Sequence, residues 1–144
     1  MISTTFASDL LKLLLNATAI TGLATNATTS PLANLYLSLH TADPGAAGAQ
    51  NTSEATYTGY ARIAIARTTT GWTISGVVAS PTSTMEFGEM TGGTTQTVTY
   101  ACLGTDVSGA GKVLFRFALT PSIAMAVGVT PRLRNTTTLT AVTS

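Results

Sequence analysis

The sequence predicts an all-β protein, a jelly-roll-like β-sandwich or a barrel, with one short N-terminal α-helix. Two observations predict this class: apolar residues alternate with other residues in several short segments, and Gly or Pro separates most of these segments. The 30 threonines agree with it, because a β-branched side chain suits the half-buried surface of a strand. A chain of 144 residues has the size of one domain. We therefore expect a single β-sandwich domain over residues 1–144, with a helix and arm in residues 1–30 and a β body in residues 31–144.

The N-terminal helix is expected from Phe6 to about Ala19, with Ser8 as a suitable N-cap. Its predicted apolar face has three- and four-residue spacing and consists of Phe6, Leu10, Leu13, Leu14 and Ala17. Leu11 and Leu15 widen this stripe. Two interpretations follow: the helix covers an open end of the sheet, or it docks on a neighbouring subunit. The interface candidates on the helix are Leu10, Leu11, Leu14 and Leu15.

Seven or eight short strands are predicted in the rest of the chain. They span residues 35–40, 59–68, 72–79, 84–87, 96–103, 112–119, 123–127 and 139–142. The first strand reads as half-buried, with Leu35 and Leu39 on the core face and His40 on the opposite face. In the second strand, Ile65 is expected to point inward and Arg62 outward. The loop at residues 46–58 is long for a compact domain, which indicates a contact arm or a functional loop.

Composition excludes several classes of function. Charged residues make up only 9% of the chain and hydrophobic residues 44%, so little electrostatic repulsion separates neighbouring copies. The formal net charge is +1 and the seven basic residues are scattered, so no nucleic acid partner is expected. The apolar run at residues 10–20 follows Asp9, contains Lys12 and is too short to cross a bilayer, so no membrane partner is expected either.

Residues that could carry chemistry do not converge in the sequence. His40 is the only histidine and Cys102 the only cysteine, which argues against most metal sites. Glu86 and Glu89 are a close carboxylate pair near a strand end, where acidic side chains are usually solvated. The segment 108–112 resembles a phosphate loop, but it leads into a strand rather than a helix. We therefore predict no catalytic residue, no cofactor and no metal.

Two motifs carry a resemblance to a known family. The first is Leu35-Tyr-Leu-Ser-Leu-His-Thr-Ala-Asp-Pro-Gly45, and the second is Tyr57-Thr-Gly-Tyr-Ala-Arg62. In combination they resemble a family of small tailed-phage structural proteins, whose members are labelled tail fibre, minor structural or head decoration proteins. The resemblance extends over most of the chain. Arg132 and Arg134 depart from the family, in which the segment after the proline at this position is usually more apolar.

The resemblance implies a component of the virion, made in the cytoplasm of a bacterial host. The main hypothesis is a capsid decoration or cement protein that binds the major capsid protein and copies of itself as a dimer or trimer. The alternative is a tail, fibre or neck component, and a secreted carbohydrate-binding module or an enzyme are further alternatives. Besides the helix leucines, the predicted interface residues are Tyr57, Tyr60, Arg62, Arg132 and Arg134.

Overall fold

The structure is a computed structural model that describes residues 4–20 and 31–141. It contains one helix, α1 (Thr4–Asn16), and nine strands. The strands are β1 (Asn34–His40), β2 (Ile63–Ala66), β3 (Trp72–Ser75), β4 (Val78–Pro81), β5 (Met85–Glu86), β6 (Gln96–Gly104), β7 (Val113–Met125), β8 (Arg132–Leu133) and β9 (Leu139–Thr140). The predicted fold class, all-β with a short N-terminal helix, is confirmed. The sheets of the described residues stay open, which agrees with the sandwich alternative and not with a closed barrel.

The strands form three antiparallel sheets. The largest has the order β2-β1-β6-β7, the second has the order β3-β4-β9, and β5 pairs with β8. The centre of the large sheet is the pairing of β1 with β6, in register from Tyr36 opposite Gly104 to His40 opposite Tyr100. β7 continues this sheet along the other side of β6.

The chain divides into two compact units. The first, here the helical unit, comprises the described parts of residues 1–34, 66–85 and 133–144, and in it α1 packs against β3. The second, here the central unit, comprises residues 35–65 and 86–132 and contains most of the large sheet. The single-domain assignment of the sequence analysis stays a prediction.

The buried face of α1 differs from the predicted face. It consists of Ala7, Ser8, Leu11 and Leu15. Phe6 and Leu10, which belong to the predicted apolar face, are 37% and 39% exposed. The leucine-rich sequence offers two competing apolar stripes, and the small side chains of Ala7 and Ser8 allow the observed face to approach its neighbours closely. Ser8 therefore lies inside the helix and is not the N-cap.

Several strand boundaries also differ from the prediction. The segment predicted as one strand at residues 72–79 is a hairpin of β3 and β4, turning at Gly76 with a φ of 60°. The strands predicted at residues 112–119 and 123–127 are joined in the single strand β7. Their junction is a bulge, where residues 119–122 of β7 face Thr99 alone on β6. The last predicted strand is shorter, as β9, and Val142 lies outside the described residues.

Both faces of β1 are buried, which corrects the half-buried prediction. Leu35, Leu37 and Leu39 are at most 2% exposed on one face. On the other face Ser38 and His40 are also fully buried. Alternation in the strand predicted the apolar face correctly, but the second face is covered by the following loop. None of the helices in residues 4–20 and 31–141 is long and apolar enough to span a bilayer.

Candidate functional site

The loop between β1 and β2 is fastened to the central unit by a buried polar cluster. We call it the Glu54 network; it consists of Ser38, His40, Glu54, Tyr60 and Arg62. Both motifs quoted in the sequence analysis contribute to it, because Ser38 and His40 belong to the first and Tyr60 and Arg62 to the second. An isolated bridge between His40 and Glu54 brings the loop alongside the end of β1.

Arg62 and Glu54 form a buried, two-pronged ion pair. Nε of Arg62 donates to Oε1 of Glu54 at 2.6 Å and Nη2 donates to Oε2 at 2.7 Å. The same guanidinium donates to the carbonyl oxygens of Asp106 at 2.8 Å and Gly109 at 2.7 Å. The Arg62 side chain is 2% exposed. The planar guanidinium thus ties the loop to the turn between β6 and β7, as its fork of donors permits.

The outward orientation predicted for Arg62 is therefore wrong. Strand alternation places it opposite the inward isoleucines, but β2 begins only at Ile63, so Arg62 belongs to the loop. Its partner Glu54 makes burial tolerable, because a buried guanidinium needs a carboxylate and carbonyl acceptors to replace water. The pKa of Arg62 is raised above its usual value, first by the hydrogen bonds to Glu54.

Tyr60 completes the network by binding the same carboxylate oxygen of Glu54 as Nε of Arg62. Its hydroxyl donates to Oε1 of Glu54 at 2.8 Å and accepts the backbone N–H of Leu39 at 3.1 Å. Burial raises the pKa of Tyr60 well above its usual value. Its ring stacks on Phe87, with centroids 6.2 Å apart, and meets Tyr57 edge to face at 5.4 Å. These aromatic contacts hold the phenol in place.

Tyr57 lies in the interior of the central unit rather than on its surface. It is 3% exposed, and its hydroxyl donates to the carbonyl oxygen of Gly88 at 3.0 Å. Burial raises its pKa. The structure therefore brings together the three interface candidates of this region, Tyr57, Tyr60 and Arg62. Their contacts are with other residues of the same chain.

His40 is a structural histidine with both ring nitrogens engaged. Nδ1 lies 2.8 Å from the carbonyl oxygen of Thr52, which can only accept, so Nδ1 carries the proton. In the neutral ring Nε2 then accepts the hydroxyl of Ser38 at 2.9 Å. Burial lowers the pKa of His40 below its usual value, although the bond to Thr52 opposes this shift. This shift favours the neutral ring, and the ring is inaccessible, since His40 is 0% exposed.

Gln50 provides a second attachment between the loop and the β6–β7 turn. Its amide nitrogen, Nε2, donates to the carbonyl oxygen of Tyr36 at 2.9 Å. Its amide oxygen, Oε1, accepts the backbone N–H of Asp106 at 3.2 Å. The fully buried amide packs against Gly104 and Gly111. A Cβ at Gly104 would lie 2.3 Å from Cδ of Gln50, so a side chain at this position would displace the buried Gln50 amide. The loop, predicted to be a contact arm or a functional loop, is packed down over part of its length, and that prediction stays untested.

An open cleft of about 500 Å³ lies beside the Glu54 network. Its walls include Thr56, Val107 and Ser108, which are exposed, and the network's own Tyr60 and Arg62. The charged groups at the cleft already bond to one another and to protein carbonyls, so they are not available to a ligand. Among the described residues, no cluster of three or more His, Cys, Asp or Glu side chains is arranged to hold a metal ion.

The remaining interface candidates lie elsewhere. In the helical unit, Leu10 and Arg134 are exposed, Leu14 is half-buried, and Leu11 and Leu15 are in the interior. In the central unit, Arg132 is exposed and its Nε lies 2.6 Å from Oε2 of Glu86. No observation tests these residues as contacts with other proteins, and that assignment stays a prediction.

Sequence reasoning missed Gln50, Glu54 and Arg67. Arg67 closes the end of α1, as its Nε donates to the carbonyl oxygen of Leu14 at 2.8 Å and its Nη2 to that of Leu13 at 3.1 Å. A usable signal existed for Glu54, because a carboxylate inside a long neutral loop is unusual in a chain with only six acidic residues. Gln50 carries no comparable signal.

Cys102 is inert in this structure. It is buried in β6, and burial raises the pKa of its thiol to about 12. Since the thiolate is the reactive form, the side chain acts as a small apolar group.

Comparison with known proteins gives a match over nearly the whole chain. Residues 1–140 match the model of a family described as podophage GP4 fiber I protein gp80. No curated protein matches the chain.

Proposed function

Because this chain belongs to the podophage GP4 fiber I protein family and is a structural protein of the phage virion, we propose that it is a component of the tail fibre apparatus. The observation that carries the proposal is the family match over residues 1–140, whose description names a fibre protein. The fibre hypothesis was the alternative in the sequence analysis, and this description favours it over the capsid decoration hypothesis.

The architecture of the central unit supports a mechanical role. The long loop after β1 is joined to the β6–β7 turn by Arg62 and Gln50, whose hydrogen bonds are buried. Buried polar networks with every member bonded fix one arrangement of the chain. Loops fixed in this way suit a structural part of a virion.

We propose further that the protein catalyses no reaction. In the Glu54 network, both carboxylate oxygens accept from Arg62, and both nitrogens of His40 are bonded inside the protein. A general base must reach the proton that it removes from a substrate, and these groups are already occupied and largely buried. The role is therefore to hold structure and to bind neighbouring proteins.

The proposed partners are other virion proteins and further copies of this chain. With 9% charged residues, the surface gives little electrostatic penalty for close contact between subunits. Each contact needs only modest strength, because repeated contacts in a particle act together.

A conditional null mutant of the gene tests the proposal. Phage grown without the protein should form DNA-filled heads and tail structures that lack fibres by electron microscopy, and they should adsorb poorly. Complementation with the wild-type gene is the control. Particles with complete fibres but unstable heads would contradict the fibre assignment and return the protein to the capsid.

A catalytic role is tested separately, by supplying the complementing copy with Glu54→Gln. If the network only supports structure, fibres that assemble with this variant should adsorb normally. Assembled fibres that lose adsorption would contradict the purely structural role.

A further inference from the structure

A second open cleft, of about 420 Å³, lies in the helical unit, in which α1 packs against β3. The helix contributes Lys12 and Asn16 to its lining, and the strand contributes Trp72 and Thr73. All the residues that line it belong to this one unit. The cleft is therefore separate from the Glu54 network, which belongs to the central unit.

Two buried polar atoms of the lining residues have no hydrogen-bond partner. They are Nε1 of Trp72 and Oδ1 of Asn16. In residues 4–20 and 31–141, no other buried side-chain nitrogen or oxygen lacks a partner. A buried donor or acceptor without a partner is unfavourable, because its hydrogen bond to water is lost and not replaced. Since both such atoms belong to residues of one cleft, a ligand of this cleft is their natural partner.

The two unpaired atoms define what the ligand must offer. The indole nitrogen of Trp72 can only donate, and the amide oxygen of Asn16 can only accept. A hydroxyl group does both, so neighbouring hydroxyls on one ligand complement the pair. Thr18, Thr69 and Thr73 also line the cleft, are exposed and add three further hydroxyls. A lining of this kind suits a polyhydroxylated molecule, that is, a sugar.

The charge of the cleft narrows the class of sugar. Lys12 is the only charged residue in the lining, and it is half-buried. In the part of the chain that the structure describes, no acidic side chain forms an ion pair with it. Its ammonium group is thus free to bind an anionic group of a ligand. A carboxylate on the sugar supplies that group.

We propose that this cleft binds a carboxylated sugar of the hexuronic acid class. Its hydroxyls pair with Trp72 and Asn16, and its carboxylate pairs with Lys12. Trp72 is 4% exposed, so recognition uses its N–H group and not stacking on an open ring face. Because the two unpaired atoms are buried, the half-buried Asn16 side chain has to move as the sugar enters. It belongs to the last residue of α1, and helix ends fray readily.

This inference goes beyond the proposed function, which concerns the position of the protein in the virion and its contacts with other proteins. It does not depend on that function, because the cleft belongs to the isolated chain.

Titration of the full-length protein with galacturonate and with glucuronate tests the proposal. Trp72 is the only tryptophan of the chain, so intrinsic fluorescence reports directly on the cleft. We expect a saturable change with at least one of the two acids at constant ionic strength. The matching neutral sugar, galactose or glucose, should bind roughly two- to fivefold more weakly, because it lacks the carboxylate. Acetate, which has no hydroxyls, should give no saturable change.

Three variants, measured by calorimetry, test the assigned contacts. Trp72→Phe and Asn16→Leu should each weaken binding of the acidic sugar roughly three- to tenfold, since each removes one hydrogen bond. Lys12→Gln should reduce it to the level of the neutral sugar. The matched control is Lys112→Gln, at the only other lysine of the chain, and it should bind as the wild type does.

Urea unfolding separates a binding role from a structural one. Replacing an unpaired buried polar group by an apolar group is neutral or stabilising. Asn16→Leu should therefore unfold at the same or a higher urea concentration than the wild type, although it binds the sugar more weakly. A variant that is destabilised and binds normally would show that Asn16 serves the fold alone, and it would overturn the assignment.

Saturable binding of an acidic sugar that depends on Lys12 supports the proposal. A wild-type protein that responds to neither acid, or that binds the neutral sugar equally well, overturns it. If Trp72→Phe or Asn16→Leu fails to fold, the wild-type titrations and the Lys12→Gln variant decide. None of these failures touches the proposed fibre function, which the null mutant tests independently.

Discussion

At the scale of single residues, the central unit contains a buried ion pair, Arg62–Glu54, and an exposed one, Arg132–Glu86. The side chains of the buried pair are 2% and 15% exposed, whereas those of Arg132 and Glu86 are 61% and 54% exposed. The two pairs have the same Nε to carboxylate distance of 2.6 Å. The buried pair has a second contact, from Nη2 of Arg62 to Oε2 of Glu54, so a buried, two-pronged ion pair can be compared with an exposed one.

We predict that Arg62→Ala lowers the free energy of unfolding by about 3–5 kcal/mol, because it leaves the Glu54 carboxylate without its partner in a poorly solvated site. Arg132→Ala, the matched control, should cost less than about 1 kcal/mol. Urea denaturation followed by tryptophan fluorescence measures both. Equal losses in the two variants would show that the buried pair has no special role.

The second prediction at this scale concerns pH. Burial lowers the pKa of His40, so the unfolded chain binds a proton at His40 more tightly than the folded protein does. This contribution to stability is intact above the unfolded pKa of about 6.5 and is lost progressively as the pH falls below it. The midpoint of urea unfolding should therefore be lower at pH 5.5 than at pH 7.5. In His40→Gln the midpoint is lower at both pH values, but its change between them should be smaller. An unchanged pH dependence in that variant would refute the assignment.

At the scale of secondary-structure elements, the C-terminal end of helix α1 is capped by a side chain from outside the helix. Arg67 donates to the carbonyl oxygens of Leu13 and Leu14, and its Nη1 donates to that of Leu32 at 2.7 Å. The last four carbonyls of a helix lack partners within it, and a cation near them also interacts favourably with the helix dipole. Arg67 thus fixes the C-terminal end of α1 within the helical unit.

We expect Arg67→Ala to lower the free energy of unfolding by about 1–3 kcal/mol, since hydrogen bonds to a charged donor are lost. Amide hydrogen exchange should accelerate in the last turn of α1 and remain unchanged in β6. The control is Arg134→Ala, an exposed arginine of the same unit. Exchange that accelerates equally in α1 and β6 would indicate global destabilisation instead of a local cap.

The comparison of sequence and structure is clearest at this scale. Alternation identified the core face of β1, and Leu35, Leu37 and Leu39 are buried as predicted. It did not reveal that Ser38 and His40 are buried too, because the following loop folds back over them and the sequence of that loop has no periodic pattern. The buried face of α1 differs from the predicted apolar face, since a leucine-rich helix carries two apolar stripes and only its packing partner selects the one that is buried. The hydrogen bonds of Arg62 and Gln50 to residues distant in sequence could not be predicted, because such contacts leave no periodic pattern in the sequence.

At the scale of the whole molecule, the composition and the family both fit a protein that assembles with other proteins. A chain with 9% charged residues and a net charge of +1 has little electrostatic barrier to assembly, and its family is one of phage fibre proteins. The capsid decoration hypothesis came from the small size of the chain and from the absence of long repeats. The family description favours the fibre alternative over this hypothesis.

The central claim is that this protein is a structural part of the tail fibre apparatus, and its position in the virion is the most direct measurement. Purified particles carrying an epitope on the protein should be labelled by gold-conjugated antibody at the tail, with few copies relative to the major capsid protein. Gold distributed over the head surface, with copy numbers close to those of the major capsid protein, would contradict the account.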